Sequence, residues 1–480
     1  MIDNKKLELV ADFYEFTMSN GYYINNMNDI AYFDLFFRKV PDGGGYAIMA
    51  GLEQAIEYIQ NLKFDEDDIE YLRRQNMFDE KFLEYLKDFK FTGDVWAVTE
   101  GTPIFPNEPI ITVRAPMIEA QILETMLLLI VNHQSLIATK TSRIVAEAQG
   151  RAVMEFGARR AHGLSAAIYG ARAAIIGGAV GTSCTLAAKE FDVPVSGTMA
   201  HSWIQSFDTE YEAFKEYAKI YPSNCILLVD TYDTLKSGVP NAIKVFDEVL
   251  KPQNIRPIGI RLDSGDLAYL SKEARKMLDE AGYSDCKICA TNSLDEKLIA
   301  SLLKQGAKID LFGVGENLIT AKSDAVFGGV YKLVAVEKEG KCNPKIKISE
   351  NTAKITNPGY KKVYRFYDKD SNKALADVVA LADEVIPNDK YVIFDQVETW
   401  KKKTLTNYYI RPLQEKIFEN GNLIYGIPNL KQVASFAKNE LDNLWDEVKR
   451  IENPHKYYVD ISKNLWDLKN EMLNIDKEWI

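Results

Sequence analysis

Cysteine is scarce in this chain of 480 residues, which has only five. So few cysteines do not build the disulfide framework of small secreted proteins, and a reducing compartment is expected. Cys286 and Cys289 form a CxxC pair, but no second Cys or His pair lies nearby in the sequence to complete a zinc site. We therefore interpret both as buried strand residues and expect a cytoplasmic protein.

Long apolar runs and an excess of positive charge are also missing. The most apolar run, residues 126–131, is far shorter than the roughly 20 residues that span a bilayer, so it predicts a buried helix. The N-terminal residues lack the apolar stretch of a signal peptide. The formal net charge is −11, whereas nucleic-acid binding requires a basic face. We expect neither a membrane nor a nucleic-acid partner, and an anionic ligand would need local basic groups.

Several common signatures of catalysis are absent as well. The sequence contains no Walker A loop, no GxGxxG motif that opens a βαβ unit, no GxSxG elbow, no HExxH and no EF-hand loop. The composition, 46% hydrophobic and 26% charged, is that of an ordinary globular protein. A chain of this length exceeds what one core usually serves, so two or three domains are expected.

A repeating pattern fills residues 150–336: a short apolar run, a polar or glycine-rich turn, and an amphipathic stretch of helical period. Ser293 with Glu296 fits a capping box, and Gly282 and Gly306 follow helical stretches as C-terminal caps. The predicted strands are 152–156, the segment ending VSGTMA before His201, 225–230, 258–262, 287–291, 309–314 and 331–336. Strands this apolar favour a parallel sheet covered on both faces, which fits an α/β barrel or an open doubly wound sheet.

The positions of polar residues favour the barrel. Side chains and turns suited to chemistry lie at or just beyond the predicted C-terminal ends of strands, namely Arg159, His201, Asp230, Asp263 and the Gly313/Gly315 turn. In a barrel these ends converge on one mouth, where active sites lie.

The regions on either side of the repeats have different patterns. Residues 91–116 contain short strands broken by Gly and Pro, and the tail from about residue 428 has amphipathic helical periods. We predict an N-terminal α/β domain at 1–125, a catalytic α/β barrel at 126–336 and a C-terminal domain at 337–480 that packs on both.

Several motifs resemble those of the nicotinate phosphoribosyltransferases, in the same order and over most of the chain. They are DFYEFTMSNGYY, FFRKVPDGGGYAIMAGL, EFGARRAHG, GGAVGTSCTLAAKEFDVPVSGTMAHSWIQSF, GIRLDSGDL, FGVGENLIT and KITNPGYKKVYR. The resemblance implies an irregular α/β barrel of the type II phosphoribosyltransferase kind, with an accompanying α/β domain and a C-terminal segment. It also implies a homodimer with shared active sites.

The resemblance implies a reaction in NAD biosynthesis by salvage. Nicotinate and phosphoribosyl pyrophosphate would give nicotinate mononucleotide and pyrophosphate, with ATP hydrolysis through a phosphohistidine and with Mg²⁺ on ATP and phosphoribosyl pyrophosphate. His201 would be the phosphorylated residue, which requires a neutral imidazole and a carboxylate on its other nitrogen. We expect Asp230 to be that carboxylate; as an alternative, Asp230 caps the following helix.

The same resemblance assigns ligand contacts. Asp263 would accept hydrogen bonds from ribose hydroxyls, and Arg261 would meet a carboxylate or phosphate; Asp266 is better explained as a helix cap. The remaining expected contacts are Phe156 and Tyr14 stacking on the two faces of the pyridine ring, Arg159 and Arg38 on phosphoribosyl pyrophosphate, Gly313 and Gly315 on a phosphate, and Ser183 selecting the acid over the amide.

Other functions remain open on the residues themselves. A nicotinamide phosphoribosyltransferase has the same fold. A barrel lyase or isomerase of sugar phosphates would share the phosphate turn, but it normally needs a lysine or metal at a strand end, and the sequence places no lysine there. A noncatalytic nucleotide-binding protein would not require His201, Asp230 and Asp263 together.

Overall fold

The computed structural model describes residues 6–475, which divide into two compact units. Unit 1 consists of the described residues up to Leu136 together with those from Val326 onward, and unit 2 is Ile137–Ala325. The predicted boundaries at 125/126 and 336/337 differ from this division, because the N-terminal and C-terminal segments share one sheet in unit 1.

Twenty strands and seventeen α-helices are assigned in the described chain. The strands are β1 Ile30–Phe37, β2 Ala47–Ile48, β3 Asp94–Val98, β4 Pro103–Ile104, β5 Ile111–Pro116, β6 Ala152–Glu155, β7 Ile226–Leu228, β8 Gly259–Leu262, β9 Lys287–Ala290, β10 Leu311–Val314, β11 Gly329–Lys338, β12 Lys341–Pro344, β13 Lys361–Asp368, β14 Ala374–Leu381, β15 Lys390–Phe394, β16 Lys402–Thr406, β17 Tyr408–Pro412, β18 Gln414–Glu419, β19 Asn422–Leu423 and β20 Val459–Ile461. The helices are α1 Phe13–Ile24, α2 Leu52–Asn61, α3 Glu66–Arg73, α4 Glu80–Lys87, α5 Met117–Ile122, α6 Glu124–Glu147, α7 Leu164–Ile176, α8 Thr185–Glu190, α9 His201–Gln205, α10 Glu210–Ile220, α11 Val239–Val245, α12 Leu267–Glu280, α13 Glu296–Lys304, α14 Glu316–Ile319, α15 Leu430–Asp442, α16 Asp446–Lys449 and α17 Lys463–Ile475.

Unit 2 is built on five parallel strands in the order β6-β10-β9-β8-β7. Two further parallel bridges, from Glu155 to Thr182 and from Thr182 to Val195, continue the curved sheet beyond β6. Leu227, Ile260 and Phe312 are fully buried, as expected for strands covered by helices. The predicted irregular α/β barrel is confirmed, although the segment before His201 forms a single bridge rather than a regular strand.

The main sheet of unit 1 is antiparallel, with its strands in the order β12-β11-β1-β5-β3-β18-β19. The predicted strand 331–336 exists within β11, but it pairs antiparallel with β1 and not with a barrel strand. Its assignment to the barrel repeat was wrong, because an apolar run predicts a strand without specifying the strand that it pairs with. A second sheet, β17-β13-β14-β20, packs around a core that includes Phe366, Val378 and Tyr408.

Helix ends in unit 2 mostly follow the sequence signals. Gly282 and Gly306 lie just after α12 and α13 with φ of 82° and 78°, the left-handed conformation that glycine adopts without steric cost. Asp266 caps α12 by accepting a hydrogen bond from the Tyr269 amide. The predicted cap of α13 was wrong: Asp295, not Ser293, accepts from the Leu298 amide.

The stretch Met117–Glu147 is long and apolar enough to cross a membrane by length and composition. However, 67% of its most apolar window is buried inside the protein, as in the core helix of a globular protein. The helix predicted at 126–131 is therefore confirmed, but its burial is only partial, because Leu129 is 55% exposed.

Candidate active site at the strand ends of unit 2

His201 is the first residue of α9 and lies between two polar groups that follow barrel strands. Its Nδ1 is 3.1 Å from the Thr231 hydroxyl, and its Nε2 is 3.6 Å from Oδ2 of Asp263. Thr231 follows β7 and Asp263 follows β8, so neighbouring parallel strands deliver both groups to the same edge. A histidine held in this way has a fixed ring orientation and two defined nitrogen environments.

Asp230 is close to this pair but contacts different atoms. Its Oδ2 accepts hydrogen bonds from the Asp263 amide at 3.1 Å and from the Ser264 hydroxyl at 2.5 Å. The carboxylate beside His201 is therefore that of Asp263, and the expected contact between Asp230 and His201 was wrong. The helix-cap alternative was wrong too, because Asp233 caps the segment that follows β7.

The second oxygen of Asp230 has an unusual environment. Oδ1 is buried and has no hydrogen-bond partner among the described residues. A buried carboxylate oxygen without a donor is costly, so a ligand that supplies a donor or a cation there would relieve that cost.

Arg261, on β8, holds the loop that leads to His201. One terminal nitrogen donates to the Thr198 hydroxyl at 2.5 Å, and the other donates to the Met199 carbonyl at 2.7 Å. Asp263, the first residue after β8, accepts a hydrogen bond from the hydroxyl of Thr291, which follows β9. Arg261 therefore positions the His201 loop, whatever ligand contacts it also makes.

At the end of β6, a buried glutamate organises the segment that carries Ser183. Glu155 is fully buried, and its Oε2 accepts from the Thr182 hydroxyl at 2.6 Å. Burial raises the pKa of Glu155. The Ser183 amide donates a hydrogen bond to the Glu155 carbonyl at 2.9 Å, and the Ser183 side chain is exposed.

The Phe156 ring packs directly against β10. A Cβ built on Gly313 would lie 2.5 Å from the Phe156 ring and 2.8 Å from the Thr291 side chain. Gly313 is thus required by packing, independently of any ligand. Gly315 precedes α14, which has only four residues and so a small dipole, and the phosphate site at Gly313 and Gly315 stays a prediction.

Substitution Gly313→Ala tests this packing. The added methyl group must displace the Phe156 ring or distort β10, so we expect a loss of about 1–3 kcal/mol in the free energy of unfolding, measured by urea titration. Gly197→Ala is the matched control, because a Cβ there meets no atom within 4 Å. A Gly313→Ala protein as stable as the control would contradict the role assigned to this glycine.

Three further predicted site residues are Arg159, Tyr14 and Arg38. Arg159 is exposed, two residues beyond Gly157 at the end of β6. Tyr14 and Arg38 belong to unit 1, where Tyr14 lies on α1 with its side chain exposed. Burial and the carboxylate of Glu124 raise the pKa of Tyr14. The guanidinium of Arg38 lies 5.5 Å from the centre of the Phe36 ring.

The CxxC cysteines have no role in this site. Cys286 and Cys289 are free and buried, and burial raises the pKa of each thiol to about 12. Thiols of this kind are protonated at neutral pH and are poor metal ligands and nucleophiles. Burial is confirmed for both, whereas the strand assignment is confirmed for Cys289 only, because β9 begins at Lys287, one residue after Cys286.

Thr231, Thr291 and Glu155 take part in the site but were not predicted from the sequence. Each is a polar residue at the end of an apolar strand or within three residues after it, the same signal that identified Asp230 and Asp263. Hydroxyl residues are frequent at such positions, so the signal alone does not separate them from ordinary turns.

One imidazole, two carboxylates and an arginine thus meet at the strand ends of an α/β barrel, which is the arrangement of an enzyme active site. Family models match three parts of the chain. They are the nicotinate phosphoribosyltransferase N-terminal domain at 9–132, the nicotinate phosphoribosyltransferase family at 151–380 and the nicotinate phosphoribosyltransferase C-terminal domain at 360–469.

Individual proteins agree with the family models. The nicotinate phosphoribosyltransferase of Bacillus subtilis is 48% identical over 470 residues, covering 98% of this chain and 95% of that one. The crystal structure of the human nicotinic acid phosphoribosyltransferase has a TM-score of 0.85 at 28% identity and covers 96% of this chain and 99% of the human one. A nicotinate-nucleotide pyrophosphorylase from Pyrococcus furiosus shares the fold, with a TM-score of 0.70 at 22% identity. The chain belongs to the nicotinate phosphoribosyltransferase family.

Proposed function

We propose that this protein transfers the phosphoribosyl group of phosphoribosyl pyrophosphate to nicotinate, giving nicotinate mononucleotide and pyrophosphate for NAD salvage, with ATP hydrolysis coupled through His201. The observation that best supports the coupling of ATP hydrolysis to the transfer is the position of the His201 imidazole between Thr231 and Asp263 at the strand ends. Membership of the family supports nicotinate as the acceptor, and neither a nicotinamide enzyme nor a sugar-phosphate lyase is favoured.

The transfer step needs positioning and electrostatics more than covalent chemistry. The ring nitrogen of nicotinate forms a bond to the anomeric carbon as the bond from that carbon to pyrophosphate breaks, through a cation-like transition state. Asp263 would hold the ribose hydroxyls and stabilise positive charge. Phe156 would stack on the pyridine ring, and Arg159 would contact phosphoribosyl pyrophosphate.

The coupling step needs a neutral nitrogen on His201. That nitrogen attacks the terminal phosphorus of ATP, ADP leaves, and the phosphohistidine is later hydrolysed to phosphate. The Thr231 hydroxyl and the Asp263 carboxylate face different ring nitrogens, so one can fix the tautomer while the other nitrogen reacts. Phosphorylation would favour substrate binding, and hydrolysis would favour product release.

Two carboxylates at the strand ends suit Mg²⁺ bound to substrate phosphates. The orphaned Oδ1 of Asp230 is a hard oxygen donor, and Asp263 lies beside it through its amide hydrogen bond. Magnesium commonly uses one or two protein carboxylates and completes its coordination with phosphate oxygens and water. When bound, it would neutralise charge on ATP and on the departing pyrophosphate.

A homodimer with shared active sites is part of the proposal. Helix α1 exposes Phe13, Tyr14 and Met18, which are 43%, 44% and 38% exposed. Three large apolar side chains on one short helix favour burial against a second copy of the chain. In that arrangement Tyr14 of the partner subunit would stack on the pyridine ring, and Arg38 of the partner subunit would reach pyrophosphate.

A cytoplasmic location fits the five free cysteines.

A radiochemical assay tests the proposed reaction directly. Labelled nicotinate and labelled nicotinamide are each supplied with phosphoribosyl pyrophosphate and Mg²⁺, with and without ATP. We expect mononucleotide from nicotinate, more of it with ATP, and little from nicotinamide. Equal use of the two bases, or no effect of ATP, would contradict the proposal.

Ser183→Asp in the same assay tests the choice of the acid. The Ser183 side chain is exposed while its amide is held by Glu155, so it is available to donate to a carboxylate. An aspartate would repel nicotinate, and we expect KM for nicotinate to rise by at least about tenfold, with KM for phosphoribosyl pyrophosphate little changed. Ser183→Ala is the control for loss of the hydroxyl without added charge. Equal losses for both substrates would assign the position a structural role.

A further inference from the structure

A second candidate binding site lies in unit 1. A cavity of about 1220 Å³ opens there, and its lining residues all belong to that unit. They include residues of β1, of the segments 38–45, 105–109 and 352–357, of the start of β13, of the β15–β16 hairpin, of the segment 453–460 and of α17. A volume of this size is sufficient for a ligand as large as a nucleotide.

The lining is basic, although the whole chain has a net charge of −11. The cationic side chains are Lys39, Lys361, Lys401, Lys402, Lys403, Lys456 and Lys469, against the acids Asp34, Asp395, Glu398 and Asp460. Arg38 also lines the cavity but is not counted among them, because the proposed function places it at the shared active site. Asp34 already pairs with Lys361 at 2.9 Å, and Glu398 with Lys401. Asp395 accepts hydrogen bonds from the amides of Val397 and Glu398. Positive charge is therefore in excess in this cavity.

Lys469, on α17, shows the imbalance most clearly. Its half-buried ammonium donates to the side-chain oxygens of Asn357 at 2.8 Å and Gln396 at 3.3 Å, which are both neutral acceptors. Burial, followed by the nearby charge of Lys361, lowers the pKa of Lys469. A partly desolvated cation beside another cation lacks the counter-charge that usually accompanies burial.

We propose that this cavity binds a phosphate-bearing small anion, with Lys469 as its principal charged contact and with Asn357 and Gln396 orienting the ammonium. A phosphate group supplies several acceptor oxygens and the missing negative charge. The exposed ring of Tyr458, with Lys403 5.2 Å from its centre, offers a face for an attached base. The phosphate chemistry is common to an inorganic polyphosphate and to a nucleoside polyphosphate, and the experiment separates these two sources.

Competitive acylation of lysines, followed by peptide mass spectrometry, reports on the site itself. We expect tripolyphosphate or ATP to slow the labelling of Lys469, whereas adenosine leaves it unchanged. Lys463 is the internal control, because it lies on the same helix but is exposed and paired with Asp467. Stronger protection by ATP than by tripolyphosphate would indicate a nucleotide. Equal protection by sodium chloride at the same ionic strength, or protection by adenosine alone, would overturn the proposal.

Calorimetric titration of tripolyphosphate provides a second measurement that does not depend on the reactivity of Lys469. Lys469→Met keeps most of the unbranched side chain and removes its charge. We expect the titration of this variant to lose one class of sites or to show it about tenfold weaker than wild type, whereas Lys463→Met titrates as wild type. Identical titrations for Lys469→Met and wild type would overturn the proposal, whatever happens at the strand-end site of unit 2.

Discussion

Incubation with Mg²⁺ and ATP is expected to add one phosphoryl group to the wild-type protein and none to His201→Ala. His201 is the imidazole that the barrel holds between a hydroxyl and a carboxylate, so its reactive nitrogen is fixed in direction. Intact mass spectrometry at neutral or alkaline pH, where phosphohistidine persists, provides the measurement. The same variant should lose all stimulation of nicotinate mononucleotide synthesis by ATP.

His162→Ala is the matched control for this experiment. His162 lies three residues after Arg159, and its side chain is exposed in a loop. It should keep both the added phosphoryl group and the stimulation by ATP. If the phosphoryl group disappears in His162→Ala and persists in His201→Ala, then His162 is the phosphorylated residue and the assignment to His201 is refuted.

Random pairing of the two inactive variants, Tyr14→Ala and Asp263→Asn, is expected to restore about a quarter of all sites in the population, which is about half of the sites in the mixed dimers themselves. With shared sites, a mixed dimer joins the intact barrel of one chain to the intact tyrosine of the other. Half of the dimers are then mixed, and each has one complete site of two. Coexpression with two different tags isolates the mixed species, and nicotinate mononucleotide formation gives the activity.

Tyr14→Phe serves as the control, because it keeps the aromatic ring and should remain active if stacking is the role of this residue. Asp263→Asn keeps an oxygen that can accept from Thr291, so the strand end should fold normally. If verified mixed dimers are as inactive as the parents, each site is built within a single chain and the shared arrangement is excluded.

The strands of the barrel were largely predictable from the sequence. The apolar runs at 225–230, 258–262, 287–291 and 309–314 each contain an observed parallel strand, because both faces of such strands are covered by helices. The run at 331–336 has the same composition but joins an antiparallel sheet. Composition reports burial, whereas the pairing partner depends on where distant segments of the chain meet.

The side chains of the site were likewise predictable in part: the sequence indicated which residues lie near one another but not which of them are in contact. Strand-end position identified His201, Asp230 and Asp263 as neighbours, since parallel strands bring their C-terminal ends to one edge. It did not identify which carboxylate faces the imidazole. That choice depends on the loop before α9, whose path is held by Arg261 through Thr198 and Met199.

The sequence by itself determined the fold family, the apolar strands, the glycines after α12 and α13, and the set of chemical groups at the barrel mouth. Each of these depends on local composition or on motifs whose own residues are contiguous in the chain. Only the tertiary structure decided that Asp263 rather than Asp230 lies beside His201, that Gly313 makes room for the Phe156 ring, and that lysines distant in sequence surround one cavity in unit 1. These outcomes depend on distances of a few ångströms between segments that are far apart in the chain, which no local pattern of residues specifies.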